Sequence, residues 1–166
     1  MSDSLENFFL AAQSFQGWVK TEPVDKNKEA VKALRVLSSL YSHAIELMSL
    51  EAGREEPNDD ESYAVGMDEW DEVYDRLDNM PFNYYSELES PHDSEGESLY
   101  TDLIEDLTDI YQDVIEGLNI YNAGLREQAL SHWQMTFEFH WGRHLLGAMK
   151  ALHCYFQDEG DFAGFA

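Results

Sequence analysis

Two histidines, His140 and His144, have the clearest potential for chemistry in this sequence. Residues four apart lie on the same face of an α-helix, and two imidazoles in that arrangement can bind one metal ion. Arg143 stands between them among aromatic residues, and we expect it to form a buried ion pair with an aspartate. Gly142 costs about 1 kcal/mol in the middle of a helix relative to alanine, and we expect it to admit a neighbouring helix.

A row of aspartates supplies carboxylates that match these histidines. Its members follow one flank of a predicted helix at steps of four, three and four residues: Asp102, Asp106, Asp109 and Asp113. Helical geometry places only Asp106 and Asp113 near the boundary of the core. Carboxylates at this spacing repel one another by a few tenths of a kcal/mol per pair. The row therefore favours neutralisation by cationic side chains, a metal ion or a partner.

Two interpretations of these residues remain open at the level of sequence. In the structural one, the side chains lock two helices together as a polar cluster of Arg143, His140, His144 and Asp106, with Asp109 or Asp113 as further partners. In the other, three helices of a bundle build a metal centre. Its candidate ligands are His140, His144, Asp106, Asp109, Asp113, His43 and Glu46. Segment 26–51 does not carry the Glu-x-x-His signature of di-iron helices, because His43 precedes Glu46 in it.

The elements that position these residues are predicted to be helices. Apolar residues recur at steps of three and four, and no strand of alternating pattern stands out. The predicted helical segments are 4–19, 26–51, 66–79, 98–122 and 125–157. Residues 81–97 are predicted to be irregular, and Gly124 to end a helix in a left-handed conformation. We predict an all-α fold, an antiparallel helical bundle of four long helices plus one shorter helix, in a single domain over 1–166 with a short flexible tail at about 158–166.

The charge of the chain restricts its partners. Its 34 acidic and 10 basic residues give a formal net charge of −24. Binding to a phosphate backbone needs a basic face, as does docking on an anionic membrane, so neither nucleic acid nor membrane is an expected partner. Residues 51–120 hold 23 acids and two bases, a net charge of −21, interleaved with Tyr and Trp. Such a surface suits a basic protein partner.

The predicted location is the cytoplasm. The sequence has one cysteine, so an intrachain disulfide cannot form. Its first residues lack the basic region of a signal peptide, and no window of 18 apolar residues occurs.

Two motifs carry a resemblance to a known family. They are DLxDIYxD at 106–113 and HWGRHL at 140–145. Together with the surrounding pattern over about 35–155, they resemble a family of small uncharacterised bacterial helical proteins, which is catalogued as a domain of unknown function. The resemblance implies a bacterial cytoplasmic helical domain, and it implies no activity.

Three hypotheses for function follow. The first is a non-enzymatic interaction domain that binds a basic protein through its acidic, aromatic-rich residues 51–120. The second is a metal-binding protein or a metal-dependent enzyme with a His/Asp site between the fourth and fifth segments. The third is a DNA mimic, which ranks last because one row of aspartates is short. No cofactor is expected, except a divalent metal ion under the second hypothesis.

Overall fold

The computed structural model describes residues 3–52 and 60–159, and most of them are helical. The α-helices are α1 (Asp3–Val19), α2 (Lys26–Leu47), α3 (Met67–Leu77), α4 (Leu103–Asn122), α5 (Arg126–Thr136) and α6 (Gly142–Asp158). A short 3₁₀ turn covers Glu61–Tyr63, and a π-helical turn, Phe137–Trp141, joins α5 to α6 in one continuous run. The predicted all-α fold is confirmed: α1, α2, α4 and the α5–α6 run are the long helices, and α3 is the shorter one.

Helix α4 forms the centre of the core. Leu107, Ile110 and Val114 on its inner face are fully buried. Trp133 from α5 lies across this face and donates its indole N–H to the carbonyl of Val114 at 3.0 Å. Gly117 makes this approach available, since a Cβ atom there would lie 2.1 Å from the indole nitrogen. At the end of α4, Gly124 has a φ of 87°, the left-handed conformation predicted for it.

A β-hairpin interrupts the helical pattern, and the prediction of an all-irregular 81–97 is wrong at this point. Strand β1 (Tyr84–Leu88) pairs antiparallel with β2 (Ser98–Asp102), with Tyr84 opposite Asp102. Exposure alternates along β1 and over the first four residues of β2, but each strand is only five residues long and rich in polar side chains. A strand of that composition shows no clear alternation of apolar residues, so the sequence pattern did not indicate it. Helix α4 consequently begins at Leu103 and not near residue 98.

A buried ion pair holds α3 against the first two helices. Glu29 on α2 is fully buried and accepts hydrogen bonds from the Trp18 indole and from Arg76 of α3, each at 3.0 Å. Burial alone would raise the pKa of Glu29, but the hydrogen bonds from Val24 N, Arg76 and Trp18 lower it overall. The carboxylate therefore stays charged and fixes the side of α3 that faces the core.

Within the described residues, no helix combines the length and apolar composition that a membrane crossing requires. The predicted tail at 158–166 lies outside the described residues beyond Glu159. The assignment of the chain to a single domain stays a prediction.

Candidate functional site

Two histidine–aspartate pairs connect the α5–α6 run to α4. Nδ1 of His140 lies 2.7 Å from Oδ2 of Asp113, and Nδ1 of His144 lies 2.6 Å from Oδ1 of Asp106. The aspartates are two turns apart on α4, the histidines are one turn apart, and the two rings lie 4.7 Å apart at their centroids. Both carboxylates are at the edge of the core, as predicted, with Asp106 2 % and Asp113 8 % exposed.

A third aspartate lies between the two pairs. Oδ2 of Asp109 is 3.9 Å from Nε2 of His140, the ring nitrogen that Asp113 leaves available. One ligand atom from each of Asp109, His140 and His144 lies within 4.8 Å of the other two. We refer to Asp109, His140 and His144 as the ligand triad. It is the one group in the described residues whose histidine and carboxylate atoms converge in this way.

Side chains from outside α4 hold two of these carboxylates in place. The Tyr85 hydroxyl of β1 donates to Oδ2 of Asp106 at 2.6 Å, and the Trp70 indole of α3 donates to Oδ1 of Asp109 at 3.3 Å. Tyr85 reaches Asp106 by crossing α6 at Gly147, where an added Cβ would lie 2.4 Å from the tyrosine oxygen. Asp106 is therefore held at one oxygen by a histidine and at the other by a tyrosine.

The protonation states of the pairs follow from these contacts. The hydrogen bond to Asp106 raises the pKa of His144, against the opposing effect of burial. Burial raises the pKa of Asp113, and the hydrogen bond and charge of His140 only partly offset this. Burial and the neighbouring Asp106 carboxylate also raise the pKa of Tyr85, so its hydroxyl remains a donor throughout the physiological range.

The π-helical turn places His140 for its contact with Asp113. Single π turns add one residue to a helical repeat and often occur at functional sites. Gly142 closes this turn, because a Cβ there would lie 2.4 Å from the carbonyl oxygen of Phe137. The close approach at Gly142 is thus to its own chain and not to a neighbouring helix, which corrects the prediction made from sequence.

The structure brings five of the predicted site residues together, namely Asp106, Asp109, Asp113, His140 and His144. His43 and Glu46 are not part of this cluster. They contact each other on α2, with Nδ1 of His43 3.9 Å from Oε2 of Glu46, because a spacing of three places them on one helix face.

Arg143 also differs from its prediction, which was a buried ion pair with an aspartate of the α4 row. Its Nη2 atom lies 3.5 Å from Oε1 of Glu87 on β1, and half of the arginine side chain is exposed. A helical step of 100° turns Arg143 away from the face that His144 directs at α4, towards the hairpin.

Asp102 leaves the predicted aspartate row as well. It is the last residue of β2 and caps α4, accepting hydrogen bonds from Ile104 N and Glu105 N. Since Asp106 and Asp113 face histidine rings, the row does not present a line of free carboxylates to solvent. The DNA-mimic hypothesis, which needs two such lines of carboxylates at duplex-like spacing, gains no support from this helix.

Tyr85, Trp70 and Glu87 are neighbours of the site that the sequence did not indicate. Tyr85 and Glu87 share one face of β1, but the alternating exposure that shows this belongs to the structure, and Tyr84–Leu88 has no matching alternation of apolar and polar residues. No local signal indicates Trp70, because its partner Asp109 is 39 residues away.

The chemistry that these groups can perform depends on the protonation state of the two imidazoles. Protonated rings would form ion pairs that tie the α5–α6 run to α4. Neutral rings, each donating Nδ1–H to an aspartate, would present Nε2 lone pairs to a cation beside Asp109. Two nitrogen ligands and one oxygen ligand suit zinc and other divalent transition metals, whereas magnesium and calcium prefer oxygen.

The protein is thus a helical bundle with one β-hairpin, and a His/Asp cluster lies between α4 and the α5–α6 run. The chain belongs to the family described as Domain of unknown function (DUF5063), whose model matches residues 1–157. A crystal structure of protein BF1032 from Bacteroides fragilis is similar in fold, with a TM-score of 0.73 at 22% identity over 92% of this chain and 91% of that one. No curated protein matches the sequence.

Proposed function

We propose that the protein binds a divalent transition-metal ion through Asp109, His140 and His144. The observation that carries the proposal is the orientation of the two rings: each has Nδ1 on an aspartate of α4. Histidines that ligate metals almost always donate their second ring N–H to a carboxylate or carbonyl, which fixes the ring and raises its basicity. Asp113 and Asp106 are in position to do this for His140 and His144.

The ligand triad supplies three protein ligands and leaves further coordination positions open. Catalytic zinc sites have this composition, with water or substrate in the open position, whereas structural zinc sites are closed by four protein ligands. The ligand atoms of a tetrahedral zinc site lie about 3.4 Å apart, given bonds of about 2.1 Å. The triad atoms, within 4.8 Å of one another, are therefore expected to draw together when the ion binds. His140 has room to move, since its side chain is 47% exposed.

The test is calorimetric titration of Zn²⁺ into protein stripped with a chelator. We expect one tight equivalent for the wild-type protein and its loss in the double variant His140→Ala/His144→Ala. His92→Ala is the matched control, because His92 is an exposed histidine of the hairpin loop outside the cluster. An excess of Mg²⁺ in the buffer occupies the weak sites that any protein of charge −24 offers to divalent ions.

Three results of this titration separate the alternatives. Loss of the tight equivalent in the double variant alone supports the ligand triad. Equal Zn²⁺ binding by the wild type and the double variant places the ion elsewhere and contradicts the proposal. No tight binding by the wild type contradicts the proposal and leaves the two pairs as a lock between α4 and the α5–α6 run.

A second candidate function is supported by a different surface. We infer that the acidic, aromatic-rich residues 51–120 bind a basic protein. Tyr84 and Tyr100 stack on the open face of the hairpin while remaining 55% and 75% exposed, and exposed large apolar side chains are typical of binding surfaces. The net charge of −21 over 51–120 selects a cationic partner.

This second candidate predicts association that depends on salt. A peptide rich in both Lys and Arg should bind the immobilised protein with an association rate that falls steeply as ionic strength rises. A Glu-rich peptide of equal length is the control and should not bind. Association indifferent to salt would contradict a surface that acts through its charge. The setting we propose for both functions is the bacterial cytoplasm, which rests on the sequence features and the family resemblance described above.

A further inference from the structure

Four aromatic rings form two stacked pairs on neighbouring elements. Trp70 and Tyr74 of α3 stack with centroids 5.4 Å apart and planes 20° from parallel. Tyr84 and Tyr100 of the hairpin stack at 5.2 Å and 15°. The first pair is half-buried, and the second is among the most exposed aromatic surface in the described residues.

Asp102 joins the two pairs into one row. The Tyr74 hydroxyl donates to Oδ2 of Asp102 at 3.1 Å, and Tyr84 lies directly opposite Asp102 in the hairpin. Partial burial and the nearby charges of Asp102 and Asp78 raise the pKa of Tyr74, and Tyr84 also contributes. We call Trp70, Tyr74, Tyr84 and Tyr100 the aromatic row.

Exposed carboxylates lie close in sequence to the residues of the row. Asp71 and Asp75 follow Trp70 and Tyr74 along α3 and are exposed, as are Asp78 at the end of α3 and Glu105 at the start of α4. The basic residue of α3 is Arg76, and its guanidinium donates to the carbonyls of Thr21 and Trp18 and to Glu29 on the opposite side of the helix. The charged α3 side chains that adjoin the row in sequence and do not face Glu29 are therefore acidic.

We propose that the aromatic row docks an arginine-rich segment of a partner protein. This inference rests on the second proposed function and identifies its partner and its contact surface. A guanidinium is planar, stacks on aromatic faces and donates to carboxylates in the plane of its N–H groups. Both oxygens of Asp102 already accept hydrogen bonds, so the exposed carboxylates of Asp75 and Asp78, which follow Tyr74 along the chain, are the ones that would take the guanidinium N–H groups. The ammonium of lysine gains the charge contact with less of the stacking.

The experiment compares two peptides of identical length and spacing, one with arginine and the other with lysine at every basic position. Binding to the full chain is measured by fluorescence anisotropy at physiological ionic strength. We expect the arginine peptide to bind about 10-fold more tightly, the ratio that one or two exposed cation–π contacts provide.

Three variants assign this preference to the row. Tyr84→Thr/Tyr100→Thr removes two rings while retaining residues that favour strands, so the hairpin is kept and the arginine preference should vanish. Tyr84→Phe/Tyr100→Phe keeps the rings and should retain it. Phe139→Ala removes a ring that is 77% exposed but lies on the π-helical turn, outside the row, and should also retain it.

Each outcome bears on a distinct claim. Equal affinity for both peptides overturns the aromatic row as an arginine site but leaves the second proposed function intact, since a basic partner still binds. Retention of the arginine preference in Tyr84→Thr/Tyr100→Thr places the site elsewhere. Absence of binding by either peptide contradicts both the row and the proposed interaction with basic proteins.

Discussion

Nδ1 of His144 lies 2.6 Å from Oδ1 of Asp106, a carboxylate that is 2 % exposed. The other oxygen of this carboxylate accepts a hydrogen bond from Tyr85 at 2.6 Å, so the position of the imidazole is determined from both sides. This contact can serve two states of the protein. It stabilises a protonated His144 without metal, and it orients a neutral His144 towards a bound ion.

The first prediction concerns pH. Because the hydrogen bond to Asp106 raises the pKa of His144 above its ordinary 6.5, a proton competes with the metal at neutral pH. Zn²⁺ affinity should therefore increase as the pH rises through the raised pKa of His144. The affinity is measured by competition with a chelating dye at a series of pH values, and the His144 pKa by NMR on the metal-free protein.

The free energy of unfolding of the metal-free protein should decrease as the pH rises, whereas the Zn²⁺ affinity increases. A folded-state pKa above the unfolded one contributes stability that is complete below pH 6.5 and is lost as the pH rises through the folded pKa. Denaturation of the wild type and of Asp106→Asn across this range isolates the contribution. A His144 pKa at or below its ordinary value would contradict the prediction.

The second prediction uses Asp113 to separate support of the metal site from support of the fold. Burial raises the pKa of Asp113, so its charge is costly to the folded protein at neutral pH. Asp113→Asn removes that charge and keeps an oxygen that can accept from His140. We expect little loss of stability in the metal-free protein, but a loss of about 10- to 100-fold in Zn²⁺ affinity, the usual effect of removing a carboxylate behind a histidine ligand.

Thermal unfolding and dye competition on the same preparations test this separation. Asp113→Ala is the comparison, because it also removes the acceptor of His140 and should lose stability and affinity together. Unchanged affinity in Asp113→Asn would show that Asp113 does not orient a metal ligand.

The sequence predicted the helices and the histidine–aspartate cluster for the same physical reason. Apolar periodicity places residues on helix faces, and Asp106 and Asp113 fall at the edge of the apolar stripe of α4 by the same geometry. Two helices whose inner faces pack together then bring the edge of one to the edge of the other. His140 and His144 consequently meet these aspartates across a helix–helix interface.

The contacts that the sequence did not predict join residues that are far apart along the chain. Tyr85 and Trp70 reach their aspartates from elements 21 and 39 residues away, and helical periodicity carries no information about such pairings. The sequence offered several carboxylates as partners for Arg143. Its partner in the structure is Glu87, which lies on the hairpin that the sequence did not predict. A short polar strand thus determined both the partner of Arg143 and the donor to Asp106.

The third prediction makes Trp70 a reporter of the ligand triad. Its indole N–H donates to Oδ1 of Asp109, while Oδ2 of the same carboxylate faces His140. A cation bound at Asp109 changes the field at the indole, so Zn²⁺ should alter the tryptophan emission of the wild-type protein. In Trp70→Phe the change should disappear, although calorimetry still detects binding. An emission change that persists in Trp70→Phe would assign it to Trp18, Trp133 or Trp141.

The fourth prediction tests the crossing of Tyr85 over α6. A Cβ at position 147 would lie 2.4 Å from the Tyr85 hydroxyl and 2.7 Å from Oε2 of Glu87, so Gly147→Ala must displace these two side-chain ends and break the Tyr85–Asp106 hydrogen bond. We expect a loss of about 1–3 kcal/mol in the free energy of unfolding, as for other overpacked positions. We also expect a shift in the NMR signals of His144, because its partner Asp106 loses the hydrogen bond from Tyr85.

Gly17→Ala is the matched control for this change. Gly17 also lies in a helix, but nothing lies within 4 Å of the Cβ atom that alanine would add there. The substitution should therefore stabilise the protein by about 0.5–1 kcal/mol, the usual gain of alanine over glycine inside a helix, without changing the His144 signals. If Gly147→Ala stabilised the protein as Gly17→Ala does, Tyr85 would not depend on close passage over α6 to hold Asp106.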